Sequence, residues 1–294
     1  MNILQRTALG LVTLCAASAA SSGVLDKINA GGSLVIAHRE SSVPFSYIDT
    51  KTGKPVGYAM DLCLRLAEVV RKKTGKPNMA VEFLQVTSAD RVAVIEQGKA
   101  DLECGSTTNN AERRQSVAFT VPHFVASARL LVSASSAITR LEDLRGKKLV
   151  STKGTSPLKV VSVANREQMI GITIIEAPDH AKAIEMVEKG EADAFAMDDV
   201  LLYGLAAGRP KPSAFKVVGK SLTTEPLAIM LPKGDAEFKQ LIDTEMKRLI
   251  TSREIYPLYD KWFSKPIAPG ITLNLPLGYL LRDSWKYPSA EVLL

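Results

Sequence analysis

Cysteine, histidine and aromatic side chains are all scarce in this 294-residue chain, and each scarcity removes a class of function. It has three histidines, widely separated, and three cysteines without a Cys-x-x-Cys pair. That is not the close ligand spacing of a zinc site, so no metal or other cofactor is expected. Basic runs with interleaved aromatics are also missing. Aromatics make up 6% of the residues and the formal charge of +6 is spread along the chain, which argues against a nucleic-acid partner. A mild positive excess suits an anionic small ligand or simple solubility. Beyond the first twenty residues no stretch is long and uncharged enough to cross a bilayer as a helix. The chain as a whole is 46% hydrophobic, enough to form the core of one large domain or two modest ones.

The amino terminus reads as a leader. Arg6 supplies the positive n-region, Ala8 to Ala17 an apolar run too short to span a membrane, and Ala17-Ser18-Ala19-Ala20 the small residues of a cleavage site. Cleavage is expected after Ala19 or Ala20, making 1–20 a signal peptide and the mature chain an exported one. Cys15 raises a lipid anchor as an alternative, but the bulky Leu14 before it argues against one. In the mature chain Cys63 falls in an apparent helix and Cys104 in an apparent strand, both among apolar neighbours. A disulfide and two buried thiols both remain open.

The most informative feature is a phrase that occurs twice. Ile95-Glu96-Gln97-Gly98-Lys99-Ala100-Asp101-Leu102 returns as Val187-Glu188-Lys189-Gly190-Glu191-Ala192-Asp193-Ala194. Each copy ends an amphipathic segment with Gly and then enters an apolar strand. The separation is too wide for a stacked-repeat protein, so the repetition predicts two similar α/β lobes with a cleft between them. Extending the alignment sets Ser106 opposite Asp198, beyond the carboxyl ends of the two strands. Ser88 falls opposite His180, before the two helices, with Arg91 one turn on. Ligands of open α/β sheets bind at those strand ends.

Further elements follow from local pattern. Leu34 to Ala37 reads as a strand opening into His38-Arg39. A helix runs from Asp61 to near Gly75, Val81 to Val86 is a strand, and Thr87 or Ser88 caps the next helix. Ala128 to Val132 is read as the last strand of the first lobe, Lys148 to Ser151 as the opening strand of the second, and Ala228 to Leu231 as the return strand. Phe238 to Leu249 is a helix expected to rejoin the first lobe. Gly154-Thr155-Ser156-Pro157 predicts a helix start, where free N–H groups attract anions, with Pro at the first helical position. Arg39, Arg91, Arg113 and His180 stand at loop or helix-start positions. Converging arginines grip carboxylates through paired hydrogen bonds, and Asp198 is the candidate partner for an ammonium group.

These residues resemble the periplasmic glutamate/aspartate-binding proteins of amino-acid ABC transporters, in solute-binding protein family 3. The resemblance rests on His38-Arg39-Glu40-Ser41-Ser42-Val43-Pro44-Phe45-Ser46-Tyr47 and Glu103-Cys104-Gly105-Ser106-Thr107-Thr108-Asn109-Asn110. Asp179-His180, Met197-Asp198-Asp199 and Lys261-Trp262-Phe263 support it. It implies a two-lobed type II periplasmic binding protein fold of the α/β class, its lobes joined by two crossing strands. The expected division is 24–132 with 231–294 for lobe 1 and 133–230 for lobe 2. It also implies residence in the periplasm, a ligand that is L-glutamate or L-aspartate, and delivery to ABC permease subunits by a monomer. Arg113 would hold the α-carboxylate with Ser106 and the Ser156 helix start, and Asp198 the α-ammonium. Arg39, Ser88, Arg91 and His180 would surround the side-chain carboxylate, with Thr108 and Thr155 as lesser contacts. Pro157 departs from the pattern, since it lacks the N–H expected there. Two rival readings share the fold: an exported dehydratase of cyclohexadienyl acids, with Glu103 or His180 as proton donor, and a ligand sensor for a membrane receptor. The residues after Pro266, including Pro269-Gly270, are expected to form a packed extension.

Overall fold

The computed structural model describes residues 23–267 and 271–291. The expected leader, residues 1–20, and Pro269-Gly270 lie outside them. Two five-stranded sheets dominate. The first runs Val81–Gln85, Leu34–His38, Leu102–Glu103, Met230–Pro232, Val117–Phe119, and the second Thr173–Ala177, Lys148–Thr152, Ala194–Asp198, Ala128–Ser133, Phe215–Val218. In both, the first three strands are parallel and the fourth is antiparallel. The sheets therefore share one topology, as the repeated phrase predicts.

The phrase has a structural reason in each lobe. Gly98 and Gly190 end their helices at φ of +66° and +71°, a left-handed conformation that costs glycine little. The following aspartates clip onto the neighbouring strand in the same way. Asp101 donates its N–H to the Val35 carbonyl at 2.9 Å, and its carboxylate accepts the Val35 N–H at 2.7 Å. Asp193 makes the same pair with Lys148, both bonds at 2.8 Å. These clips set the register that places Leu102 opposite Ile36 and Ala194 opposite Leu149.

Two strands cross between the sheets, Phe124–Ala126 and Glu225–Leu227, and pair antiparallel. This corrects two expectations. Ala128–Ser133 pairs with Ala194–Asp198 in the second sheet, so a boundary at 132/133 comes one strand too late. The expected return strand at Ala228–Leu231 is two strands, the crossing one and Met230–Pro232, separated by Ala228 and Ile229. Apolar content marks strands well but does not say which sheet they join, because both sheets bury their strands alike.

Helix Tyr58–Thr74 covers the first sheet with Leu62, Cys63, Leu66 and Val70 and ends at Gly75, φ +64°. Helix Ala236–Thr251 packs against it through Phe238, Ile242, Met246 and Leu249, spaced for one face. Cys63 and Cys104 form a disulfide, which decides the open question. Phe45, Tyr58, Phe124, Tyr259 and Phe263 interlock beside the crossing strands, with ring centroids 4.4–6.3 Å apart. The carboxyl-terminal segment is packed as expected: Trp285 is buried and donates Nε1–H to the Pro122 carbonyl at 3.2 Å. Among the described residues no helix is long and apolar enough to cross a membrane.

Candidate ligand-binding site

The parallel strands of the two sheets point their carboxyl ends at each other, and a small cavity of about 10 Å³ is left there between tightly apposed walls. Arg39, Ser88, Arg91, Ser106, Thr108, Thr155, Ser156, His180 and Asp198 all line it, together with Pro157 and Met197. Nine of the ten residues singled out from sequence thus meet at one point. The tenth, Arg113, stands in the adjoining mouth of the cleft, where its guanidinium donates to the Thr108 carbonyl at 2.8 Å and the Gly154 carbonyl at 3.2 Å.

Backbone geometry explains the convergence. Arg39 follows strand Leu34–His38, Ser106 follows Leu102–Glu103, and Asp198 closes Ala194–Asp198. His180 opens helix His180–Glu188 after Asp179, whose carboxylate caps it by accepting the Lys182 N–H at 2.8 Å. Ser88 is not a helix cap, because the helix begins only at Arg91. Instead Ser88 ties two arginines together. Its Oγ accepts from Arg39 at 2.6 Å and its carbonyl from Arg91 at 2.8 Å. Helix Ser156–Glu167 is capped by Thr155, whose Oγ1 accepts the Leu158 N–H at 3.4 Å, and Pro157 is the second helical residue rather than the first. That helix start accordingly presents one N–H fewer to an anion.

The cavity wall is charged and incompletely paired. Arg91 Nε, His180 Nε2 and Asp198 Oδ1 are buried without a hydrogen-bond partner. Burial pulls the Arg91 guanidinium well below the ordinary arginine range, and repulsion from Arg113 and Arg39 adds to it. Burial, then Arg39 and Arg91, likewise push the His180 imidazole well below its usual value, so it is neutral. Its Nδ1 lies 2.8 Å from Thr152 Oγ1; the tautomer that accepts there leaves Nε2–H as a donor. The opposite holds for Asp198, whose carboxyl is raised well above the usual range by burial and by Glu225 and Asp199. A ligand ammonium would relieve that cost, and ligand carboxylates would relieve that of the arginines.

Two acidic residues at the site were not singled out as ligand contacts. Glu225 sits on a crossing strand, 3% exposed, and lines the cleft beside Arg113. The sequence signal for it is weak, a single acid before Pro226. Glu103 is fully buried, and its place in a two-residue strand reads as core. Among the described residues no cluster of three or more histidine, cysteine or acidic side chains has the geometry to hold a metal ion.

The lobes touch across the cleft. Arg91 and Arg113 of the first reach the Gly154 carbonyl of the second, and Ser156 donates to Thr108 at 3.2 Å. Lys159 and Glu112 form an ion pair at the rim.

Residues 34–265 match the bacterial extracellular solute-binding proteins, family 3. The L-glutamate/L-aspartate-binding protein of Pseudomonas aeruginosa is 40% identical over 268 residues, covering 91% of this chain and 89% of its own. The glutamate/aspartate import solute-binding protein of Salmonella typhimurium is 41% identical over 275 residues, covering 93% and 91%. Both are binding proteins and not enzymes, so the chain is grouped with binding proteins and the dehydratase reading is set aside. Among solved structures, an ancestral arginine-binding protein bound to arginine superposes with a TM-score of 0.71 at 25% identity, over 79% of this chain and 98% of its own.

Proposed function

Because the chain belongs to the bacterial extracellular solute-binding proteins, family 3, we propose that it is an exported receptor for acidic L-amino acids that hands them to an ABC permease. The observation that carries this reading is the set of buried, unpartnered groups in one cavity. Arginine donors come from the first lobe, and a histidine donor and an aspartate raised by burial come from the second. A ligand with two carboxylates and one ammonium offers a partner to each. Arg39, Ser88, Arg91 and His180 take the side-chain carboxylate, Arg113 with Ser106 and Ser156 the α-carboxylate, and Asp198 the ammonium, with Thr108 and Thr155 beside them. Calorimetric titration with L-glutamate, L-aspartate, L-glutamine and L-arginine tests it. Tight binding of the first two alone is expected, because a neutral side chain leaves buried guanidiniums unpaired. Binding of glutamine or arginine in their place would overturn the assignment, and silence from all four would overturn the receptor reading.

Binding and closure are one event in this proposal. The sheets act as two lobes turning about Phe124–Ala126 and Glu225–Leu227, and the ligand favours the closed arrangement by its greater affinity for it. Gly154 gives a direct steric handle. It lies at φ +78°, and a side-chain carbon there would sit 2.6 Å from the Ser88 carbonyl oxygen and 2.7 Å from Ala89 Cα across the cleft. Gly154→Ala is expected to hold the lobes apart and weaken glutamate binding by about tenfold or more, given the cost of a strained left-handed alanine and a backbone clash. Small-angle scattering should show compaction on glutamate binding by the wild type and less by the variant. Equal compaction and equal affinity would refute the closure contact.

A further inference from the structure

Three guanidiniums, Arg39, Arg91 and Arg113, share the cleft with two buried carboxylates, Asp198 and Glu225, and a third, Glu103, is buried at the end of strand Leu102–Glu103. Glu103 has no part in the contacts proposed above, yet it is the most secluded of the three. It is fully buried, and neither carboxylate oxygen has a hydrogen-bond partner. A carboxylate buried without donors carries a large desolvation cost unless nearby charge offsets it. The Arg39 side chain is its neighbour. A side-chain carbon at Gly105 would lie 2.3 Å from Glu103 Oε1 and 2.9 Å from Arg39 Cγ, so both side chains press on the backbone that leads to Ser106. Burial draws all three guanidiniums below their ordinary range, and the Glu103 charge opposes this on each.

We propose that Glu103 is a specificity-determining residue. Its buried carboxylate offsets one guanidinium, so the cleft favours a dicarboxylate that carries an ammonium over one that does not. The inference rests on the receptor reading and deepens it. The cleft and its mouth are lined by three guanidiniums and two carboxylates, Asp198 and Glu225, and a charged Glu103 beside them offsets the surplus, which suits the wall to a ligand of mixed sign. Without that charge the wall has a positive surplus. The surplus strengthens the hold on each ligand carboxylate and weakens the hold on an ammonium. A dianion such as glutarate therefore gains from its loss, and gains more than glutamate does.

The test is calorimetry on Glu103→Gln, close in shape and without the charge, with L-glutamate and glutarate as probes. The ratio of their affinities is expected to move toward glutarate by about tenfold or more, as loss of a charge in a cleft of effective dielectric near 20 allows. Glu103→Asp, which keeps the charge, should hold the wild-type ratio. An unchanged ratio in the Gln variant, weaker glutarate binding, or an equal shift in the Asp variant would each overturn the proposal. Should Glu103→Gln fold only with an anion present, its melting temperature serves instead. A higher value in saturating glutarate than in saturating glutamate, reversing the wild-type order, is the expected result; retention of the wild-type order overturns it. Failure of the wild-type protein to bind L-glutamate would refute the receptor reading itself, a separate outcome.

Discussion

Arg91→Ala is expected to cost about 2–5 kcal/mol of L-glutamate affinity, the range for truncating one partner of a buried charge pair. The reason is that Arg91 is held ready rather than satisfied. It is 3% exposed, one of its bonds goes to the Ser88 carbonyl at 2.8 Å, and its Nε has no partner. Arg39 and Arg113 repel it, so the folded chain tolerates this cation at a cost that a ligand carboxylate would offset. The same argument predicts a signature beyond lost affinity. The unliganded variant should change in stability by much less than it loses in binding, since its removal relieves repulsion as it breaks a hydrogen bond. Discrimination between glutamate and glutamine should narrow as well, because Arg91 is one of the charges that a neutral amide leaves unpaired. Titration and thermal unfolding of one preparation check all three. Near-native glutamate affinity would reject the assigned role.

Removing the disulfide by Cys63→Ala/Cys104→Ala should lower stability by about 3–4 kcal/mol, as loop-closure entropy gives for a cross-link of this span. The bridged residues are 41 apart in sequence and join helix Tyr58–Thr74 to the segment leading to Ser106. Both are fully buried, so truncation to alanine adds a small cavity cost to the entropy. Urea unfolding at equilibrium measures the sum, and a loss below about 1 kcal/mol would mean that the bridge is energetically idle. Glutamate affinity should fall far less, because the strand that presents Ser106 is also held by the Asp101 clip to Val35.

Both results depend on features that were legible to different degrees. The repeated phrase was legible because it answers a local need: a left-handed glycine to end a helix and an aspartate to clip the next strand. That need recurs wherever the same topology recurs. Arg39, Ser88, Arg91, Ser106, His180 and Asp198 could be placed near a cleft because all of them border strand ends or helix starts of the duplicated unit. The identity of the strand Ala128–Ser133 was not legible. Its apolar pattern fits either sheet, and only its antiparallel pairing with Ala194–Asp198 assigns it. Glu225 and the charge role of Glu103 were hidden for a related reason. An acid on a crossing strand and an acid in a short buried strand carry no periodic signal, and they matter only through the arginines that other segments bring to them.

By itself, then, the sequence determined the elements, the duplication and the chemical character of the cleft residues, since each of these follows from neighbours a few positions apart. The tertiary structure alone decided where the chain crosses between sheets, that Cys63 meets Cys104, that Thr155 rather than Ser156 caps its helix, and that three arginines share one cleft with Asp198 and Glu225. Those are contacts between segments far apart in sequence. Their energies depend on burial and on the distance between charges, quantities that exist only once the chain has closed on itself.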